Sequence, residues 1–305
     1  MYEELTKNVR RSAFLVTGVI LVTLGAGYFL GWAIGGAAGG IGGLLVAGII
    51  ATIMSLSSWY AGDRMVLRLH RAREVSPQEE ARLHNLVEGL CIAAGIPKPK
   101  IYVVEDPSPN AFATGRDPKH ASIAVTRGLL DKMNRIELEG VVAHELAHVK
   151  NRDTLVMVIV ATLVGVLVLL ADWTFRSMFW GVGGRRGRGG DGGGPAAAAF
   201  LVLGLVAAIF MPLLAKIMQM AVSRRREFYA DVTGVQFTRY PPGLINALEK
   251  LKADTTVVRT AEHATGHLWI EQPLNVKDSG FGGKMNRLFA THPPLDERIR
   301  ILREL

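Results

Sequence analysis

Apolar and charged positions fall in blocks along the chain, and the blocks predict its elements. No charged residue occurs between Ser12 and Gly62. A single bilayer crossing needs only about 20 residues, so this run predicts two spans, Ala13–Ile34 and Ala37–Tyr60, joined by a tight turn at Gly35-Gly36. A cleaved signal peptide is the other reading of the first segment, given its basic start and the small residues after Trp32. Its apolar region is long for that role, and a second apolar segment follows at once. Glycines 27, 31, 35, 39 and 43 recur at four-residue spacing. On helices they form a smooth ridge for close backbone approach; the alternative is simple glycine richness around a turn.

After Asp63 the pattern becomes amphipathic. Ser76-Pro77-Gln78-Glu79 carries an N-cap, an N1 proline and an N3 glutamate, and Leu83, Leu86, Val87 and Leu90 then recur at helical spacing up to a C-cap at Gly95. Lys100–Glu105, Asn110–Thr114 and Ser122–Thr126 are strand-like, with short polar links that suit a small sheet. Asn134-Arg135-Ile136-Glu137 repeats the capping pattern and predicts a helix from Arg135 through Lys150. Thr154–Ala171 and Ala196–Ala215 are a third and a fourth apolar run, the latter kinked at Pro212. Gly181–Gly194 between them is low-complexity glycine and arginine that cannot build a core. Helices are expected again at Ser223–Asp231, Gly243–Lys252 and Leu295–Leu305, with a long loop over Glu271–Gly283. The fold class is therefore α+β, mostly helical, with four transmembrane helices and a small β-sheet. Its parts are residues 1–62, 63–153, 154–215 and 216–305, the second and fourth on one side of the membrane.

Composition supports the membrane reading: 49% of the 305 residues are hydrophobic and mean hydropathy is +0.24. The formal charge of +8 gathers beside the apolar runs, at Lys7, Arg10, Arg11, at Arg64, Arg68, Arg71, Arg73, and at Arg224–Arg226. Anionic lipid headgroups on the cytoplasmic face account for this placement more simply than nucleic acid does. Arg176, Arg185, Arg186 and Arg188 in the third loop oppose this topology, which leaves a non-crossing hairpin for runs three and four as the alternative. The one cysteine, Cys91, forms no internal disulfide, as suits a reducing compartment. His70, His84 and His120 show no partner pattern and are expected to face solvent. His263 and His267 sit four apart without an intervening glutamate, too little for a second metal site.

The chemistry centres on His144-Glu145-Leu146-Ala147-His148. Histidines four apart on a helix share one face and reach one ion, while the glutamate beside them can take a proton from water that the ion has made acidic. Chance supplies such a match in roughly one chain of this size per hundred, and the capped helix lowers those odds. A catalytic site needs a third protein ligand, and Val149–Asp153 offers no histidine at the spacing a contiguous motif would use. Glu227 is the candidate, with Asp231 one turn later to hold the second nitrogen of a ligand histidine. Spacing alone leaves Glu227 open between ligand and solvated acid, since it follows three arginines.

The set formed by His144–His148, Glu227-Phe-Tyr-Ala-Asp231, Asn110-Ala-Phe-Ala-Thr-Gly115 and Thr291-His-Pro-Pro294 resembles the HtpX family of membrane zinc metalloproteases, relatives of the CAAX prenyl protease. The resemblance covers nearly the whole chain, the Gly/Arg-rich loop excepted. It implies a zincin-like domain of gluzincin type, with one zinc on His144, His148 and Glu227 and with Glu145 as general base and acid. It also implies a cell-membrane enzyme facing the cytoplasm whose substrates are damaged or misfolded membrane proteins. Asn110, Ala111, Phe112, Ala113 and Thr114 would then be an edge strand on which an extended polypeptide adds, although an ordinary core strand reads the same way. The sequence does not say whether Ala111 or Ala113 presents its N–H there. His292 is placed as an oxyanion donor or a surface histidine, and Arg298 as a group positioning Asp231 or that histidine.

Two other functions remain in view. A silent scaffold with a structural zinc would need a fourth ligand, and Cys91 lies on a separate helix. An intramembrane site is disfavoured by Lys150-Asn151-Arg152-Asp153 directly after His148.

Overall fold

The computed structural model describes residues 2–159, 224–254, 256, 268–270 and 293–305. Apolar runs three (beyond residue 159) and four, the 181–194 and 271–283 loops, His263, His267 and His292 lie outside the described residues.

Helix α1 (Tyr2–Leu69) is interrupted at Gly35 (φ −138°, ψ 23°) and Gly36 (φ 63°, ψ −150°). The second of these conformations is essentially closed to any residue with a Cβ. The chain reverses there and the two arms pack against each other. A Cβ on Gly31 would lie 2.1 Å from the Gly39 carbonyl oxygen, and one on Gly43 would lie 2.1 Å from that of Gly27. Four of the five periodic glycines thus form a backbone-to-backbone contact surface, and the fifth, Gly35, makes the turn. The stretch Gly35–Leu69 has a mean hydropathy of 2.0 and is, among the described residues, the one helix long and apolar enough to cross a bilayer. Ile41, Leu45, Ile49 and Ile53 stand exposed along it, as a lipid-facing helix requires. The first arm carries a shorter apolar stretch, Val16–Phe29.

Past the apolar run, α1 ends at Leu69, and Arg71 in the turn that follows, with a left-handed φ of 51°, leads the chain into the sheet. Four strands follow: β1 (Arg73–Glu74), β2 (Lys100–Val104), β3 (Ala111–Gly115) and β4 (Ala121–Thr126), in the order β1-β2-β4-β3. β2 and β4 are parallel, and both outer pairs are antiparallel. Among the described residues β3 therefore stands at an edge of the sheet. Ser76 and Glu79 do exchange the reciprocal bonds expected of a helix start, at 2.8 Å and 3.3 Å. They close a turn instead, and α2 (Ala81–Ala94) begins later, ending on left-handed Gly95 as expected.

Strand alternation gives the sheet two apolar faces. Ile101, Val103, Ala111, Ala113, Ile123 and Val125 join the main core with α2, α3 (Arg127–Lys132) and α4 (Arg135–Lys150). Val104, Phe112 and Ala124 pack instead with Val66 and Leu67 of α1, with Met157 and with Trp269. His70 belongs to this second face: it is fully buried, with its ring 5.3 Å from Phe112 and 4.9 Å from Trp269. His84 is buried too, with Nε2 3.0 Å from the Val75 carbonyl oxygen. The expectation that both face solvent is corrected: each fills a polar–apolar seam between elements distant in sequence, which no local pattern reveals. His120 is exposed beside Asp117.

Helix α4 runs where the sequence places it, with a complete Asn134/Glu137 capping box, and every residue from Gly140 to Val149 is buried. Two glycines let other helices press on it. Gly234 of α5 (Arg224–Thr238) has no Cβ to strike the His144 amide, which such an atom would approach to 3.0 Å; Gly140 would meet the Leu244 amide of α6 (Pro241–Ala253) at 2.6 Å.

The hairpin contact is testable by size. Gly31→Leu is expected to lower the thermal unfolding midpoint of the detergent-purified protein, by the equivalent of about 1–3 kcal/mol or more for overpacking against backbone. Gly42→Leu, where an added Cβ meets nothing within 4 Å, should leave it unchanged. Equal midpoints for the two variants would contradict the close packing of the arms.

Candidate active site

The site is built on α4, whose buried face carries His144 and His148 one turn apart with their Nε2 atoms 3.2 Å from each other. Glu227, Asp231 and Gly234 follow at four- and three-residue spacing on α5, so the face that Gly234 presses against α4 brings both carboxylates with it. Glu227 is fully buried, its oxygens 3.7 Å from His144 Nε2 and 3.6 Å from His148 Nε2. One ligand atom from each of the three residues lies within 4.8 Å of the other two.

Each imidazole is held from behind by a carboxylate. His144 Nδ1 lies 2.8 Å from Asp231, and His148 Nδ1 lies 3.1 Å from Asp153. Both Nε2 atoms are thereby turned toward Glu227, the tautomer and ring orientation of a metal ligand. Arg298 of α7 (Leu295–Leu302) completes the set. It grips Asp231 with two bonds, Nη2 at 2.6 Å and Nε at 2.9 Å, donates to the Ile270 carbonyl at 3.3 Å, and comes within 3.8 Å of Glu227. Asp231, Glu227 and Arg298, separated by up to 154 residues from His144, are thus brought to one point.

Asp153 is the participant that sequence reading missed. Left-handed Arg152 (φ 56°) ends the α4 turn and swings the chain so that residues 153–159 begin a new helical segment, with Asp153 aimed back at His148. An acid five residues after the second histidine, behind an Asn-Arg pair fit for a turn, was the available signal.

The electrostatics show what the centre attracts. Burial is the largest influence on His144 and, with Arg298 next, pushes it down to about 4, so it stays neutral. Burial also opposes charge on His148, but its bond to Asp153 and the charges of Glu227, Asp153 and Glu145 outweigh it and raise it to about 9. A group of acids that holds a proton on a buried imidazole favours positive charge at that spot. Two imidazole nitrogens and one carboxylate converging there fit a divalent metal ion of the zinc type. Glu145 lies next to this focus; burial raises its carboxyl to about 8, against the Ala113 backbone amide, which donates to it.

That amide belongs to the edge strand. Thr126 N–H bonds the Asn110 carbonyl, so in the β3–β4 register Phe112 and Thr114 also exchange bonds with β4. The backbone groups of Ala111, Ala113 and Gly115 then point outward. Ala111 is already engaged there, its carbonyl accepting from Ile270 N–H at 2.9 Å. Asn110 turns its side chain to the Ala111 amide at 3.0 Å. Phe112 and Thr114 are buried on the second face. Cys91 lies in the hydrophobic core, its thiol pushed up to about 11 by burial, and among the described residues the group placed to hold a metal ion is His144, His148 and Glu227. His292 is outside the described residues.

A profile of peptidase family M48 matches residues 77–305. The chain is 43% identical over 305 residues to a protease HtpX homolog of Caldanaerobacter subterraneus subsp. tengcongensis, covering all of this chain and 98% of that one. The protease HtpX homolog of Thermoanaerobacter pseudethanolicus is 42% identical over the same 305 residues, 98% of its length. Among solved structures, the crystal structure of S. mikatae Ste24p superposes with a TM-score of 0.51 at 18% identity, over 99% of this chain and 67% of that one, a likeness of fold.

The grip on Asp231 predicts a stability effect separate from catalysis. Arg298→Ala leaves a buried carboxylate without its strongest partner and is expected to cost about 3–5 kcal/mol. Arg300→Ala breaks only an exposed pair with Glu304 on the same helix and should cost about 0.5 kcal/mol or less. Thermal unfolding of the two purified variants distinguishes these outcomes, and similar midpoints would contradict the buried network.

Proposed function

Because the chain belongs to peptidase family M48, among its HtpX-type metalloproteases, we propose that it is a membrane-anchored endopeptidase using one zinc ion held by His144, His148 and Glu227. Its substrates are misfolded or damaged membrane proteins, met on the cytoplasmic side of the cell membrane. The observation that carries this reading is the convergence of the three ligand atoms beside Glu145, on the flank of an edge strand and a short distance from an apolar helical hairpin.

When bound, zinc supplies Lewis acidity, polarising a peptide carbonyl and making water ionise near neutral pH. Glu145 takes the proton from the attacking water and returns it to the leaving amine. Its raised pKa suits both transfers, since a base poised near the working pH also serves as the later acid. Asp231 and Asp153 keep the two histidines in the tautomer that ligates, and Arg298 fixes Asp231. An extended polypeptide adds beside β3 through the Ala113 carbonyl and Gly115, because Ile270 holds the edge at Ala111 and Glu145 accepts from the Ala113 N–H. Backbone pairing of this kind favours unfolded chains over any particular side-chain sequence. His292 serves as the oxyanion donor.

Four spans give the arrangement in which residues 63–152 and 217–305 share the cytoplasmic side. In a functional variant with Cys91 replaced, a cysteine introduced between Gly187 and Gly192 should react with an impermeant thiol reagent added outside the cell, and one at Ser76 should not. Protection at both positions would favour a non-crossing hairpin for the third and fourth runs.

The metal and the base separate in variants. Glu145→Gln should keep zinc and lose casein hydrolysis by about 100-fold or more. Glu227→Ala should lose both zinc and activity, and Asp153→Asn should bind zinc about 10–100-fold more weakly. Zinc content and cleavage of the purified proteins, with and without chelator, are the readouts. Wild-type cleavage by Glu145→Gln, or full zinc in Glu227→Ala, would overturn the assignment.

A further inference from the structure

Away from the metal-ligating residues, a cavity of about 270 Å³ opens where the apolar arm of α1 meets the protein. Trp59 and Tyr60 form one wall, at the end of the uncharged run, and Asp63 and Arg64, the first charges after it, continue that wall. Opposite stand Arg116 and His120, at the two ends of the turn joining β3 to β4, with Leu155 closing the apolar side. The cavity thus spans the level at which a bilayer changes from acyl chain to headgroup, where exposed tryptophan, tyrosine and arginine are found.

Its polar groups are arranged and not merely adjacent. The Arg116 guanidinium lies 5.4 Å from the centre of the Tyr60 ring, within reach of a cation–π contact. Its Nη2 lies 3.1 Å from His120 Nε2, and His120 Nδ1 is held by Asp117 at 2.9 Å. Asp117 also approaches Arg116 Nε, at 3.6 Å. One acid therefore holds both side chains from behind, His120 accepting from the Arg116 guanidinium, and Arg64 lines the same cavity. Guanidinium groups held in this way match a phosphate.

We propose that this cavity binds the phosphate of a phospholipid headgroup, with Arg64 and Arg116 on the phosphate, His120 positioning the Arg116 guanidinium, and Trp59 and Leu155 against the glycerol and upper acyl carbons. The apolar wall favours a lipid over free phosphate, which has nothing to place there. Asp63 in the same wall disfavours a headgroup of high negative charge and suits one that carries an ammonium group. The site also reaches the edge strand: Gly115 (φ 125°) ends β3, and a Cβ there would lie 2.2 Å from the His120 carbonyl oxygen. A headgroup that holds Arg116, and His120 through it, therefore holds the end of β3.

The test uses the full chain, delipidated in a non-ionic detergent. Short-chain phosphatidylethanolamine, kept below its micelle-forming concentration, is titrated while the thermal unfolding midpoint is followed. A saturable rise is expected for the wild type, with affinity about tenfold weaker in Arg116→Gln. His120→Gln is measured alongside, so that a folded variant is available if one of the two fails, and zinc content checks that the distant centre is intact. Unchanged affinity in the folded variants overturns the proposal. So does an equal rise with inorganic phosphate, which would mark a soluble-anion site. Displacement of the lipid by an uncleaved peptide would assign the cavity to substrate and overturn it too.

Discussion

The centre of this protein concentrates acids in its buried interior. Glu145, Asp153, Glu227 and Asp231 are each no more than 2% exposed, and all four crowd around two histidines. Burying such a group is tolerable only if positive charge is delivered to it with good geometry. Arg298 delivers part, from the last helix of the chain, and is itself fully buried with its charged form strongly favoured. The rest must come from a proton on His148 or from a cation between the histidines and Glu227. The packing follows from that need: α5 has to lie flush on α4, which is why Gly234 stands at the crossing, and α7 has to lie close enough for a guanidinium to reach Asp231. Metal binding and folding are then linked, because an ion held there offsets a charge imbalance built into the core.

Much of this was legible in the sequence. Capping at Asn134 and Glu137, the histidine spacing and the four-residue glycine pattern are local signals, the last open between a packing ridge and simple glycine richness, and the structure holds the corresponding helix, the paired imidazoles and the hairpin. Strand positions were read to within a residue or two because β-branched and aromatic runs lay between polar links. Less legible was whatever depends on two distant segments. The short β1 strand exists only because β2 pairs with it, and Ser76–Glu79 has the residues of a helix cap but spends them on a turn.

Histidines show the limit most clearly. His70 and His84 have no partners in sequence, yet both are buried, one among Phe112 and Trp269 and the other on the Val75 carbonyl. Asp153 has the opposite history: it reads as one more polar residue before an apolar run, and only the left-handed turn at Arg152 directs it to His148. Sequence pattern reports which face of an element is apolar. It does not report which chain reversal brings a carboxylate back within reach.

The last turns of α1 have a consequence for how the chain is divided. Val66, Leu67 and the neighbouring His70 are not a tether leading out of the bilayer; they are the covering of the sheet face behind the edge strand, packed on Phe112, Ala124 and Trp269. Cutting the chain just after Leu69 would strip that face and leave an apolar floor beneath β3. The anchor and the catalytic body are therefore one folding unit with a shared wall, and the hairpin is a structural component of the cleft it holds at the membrane.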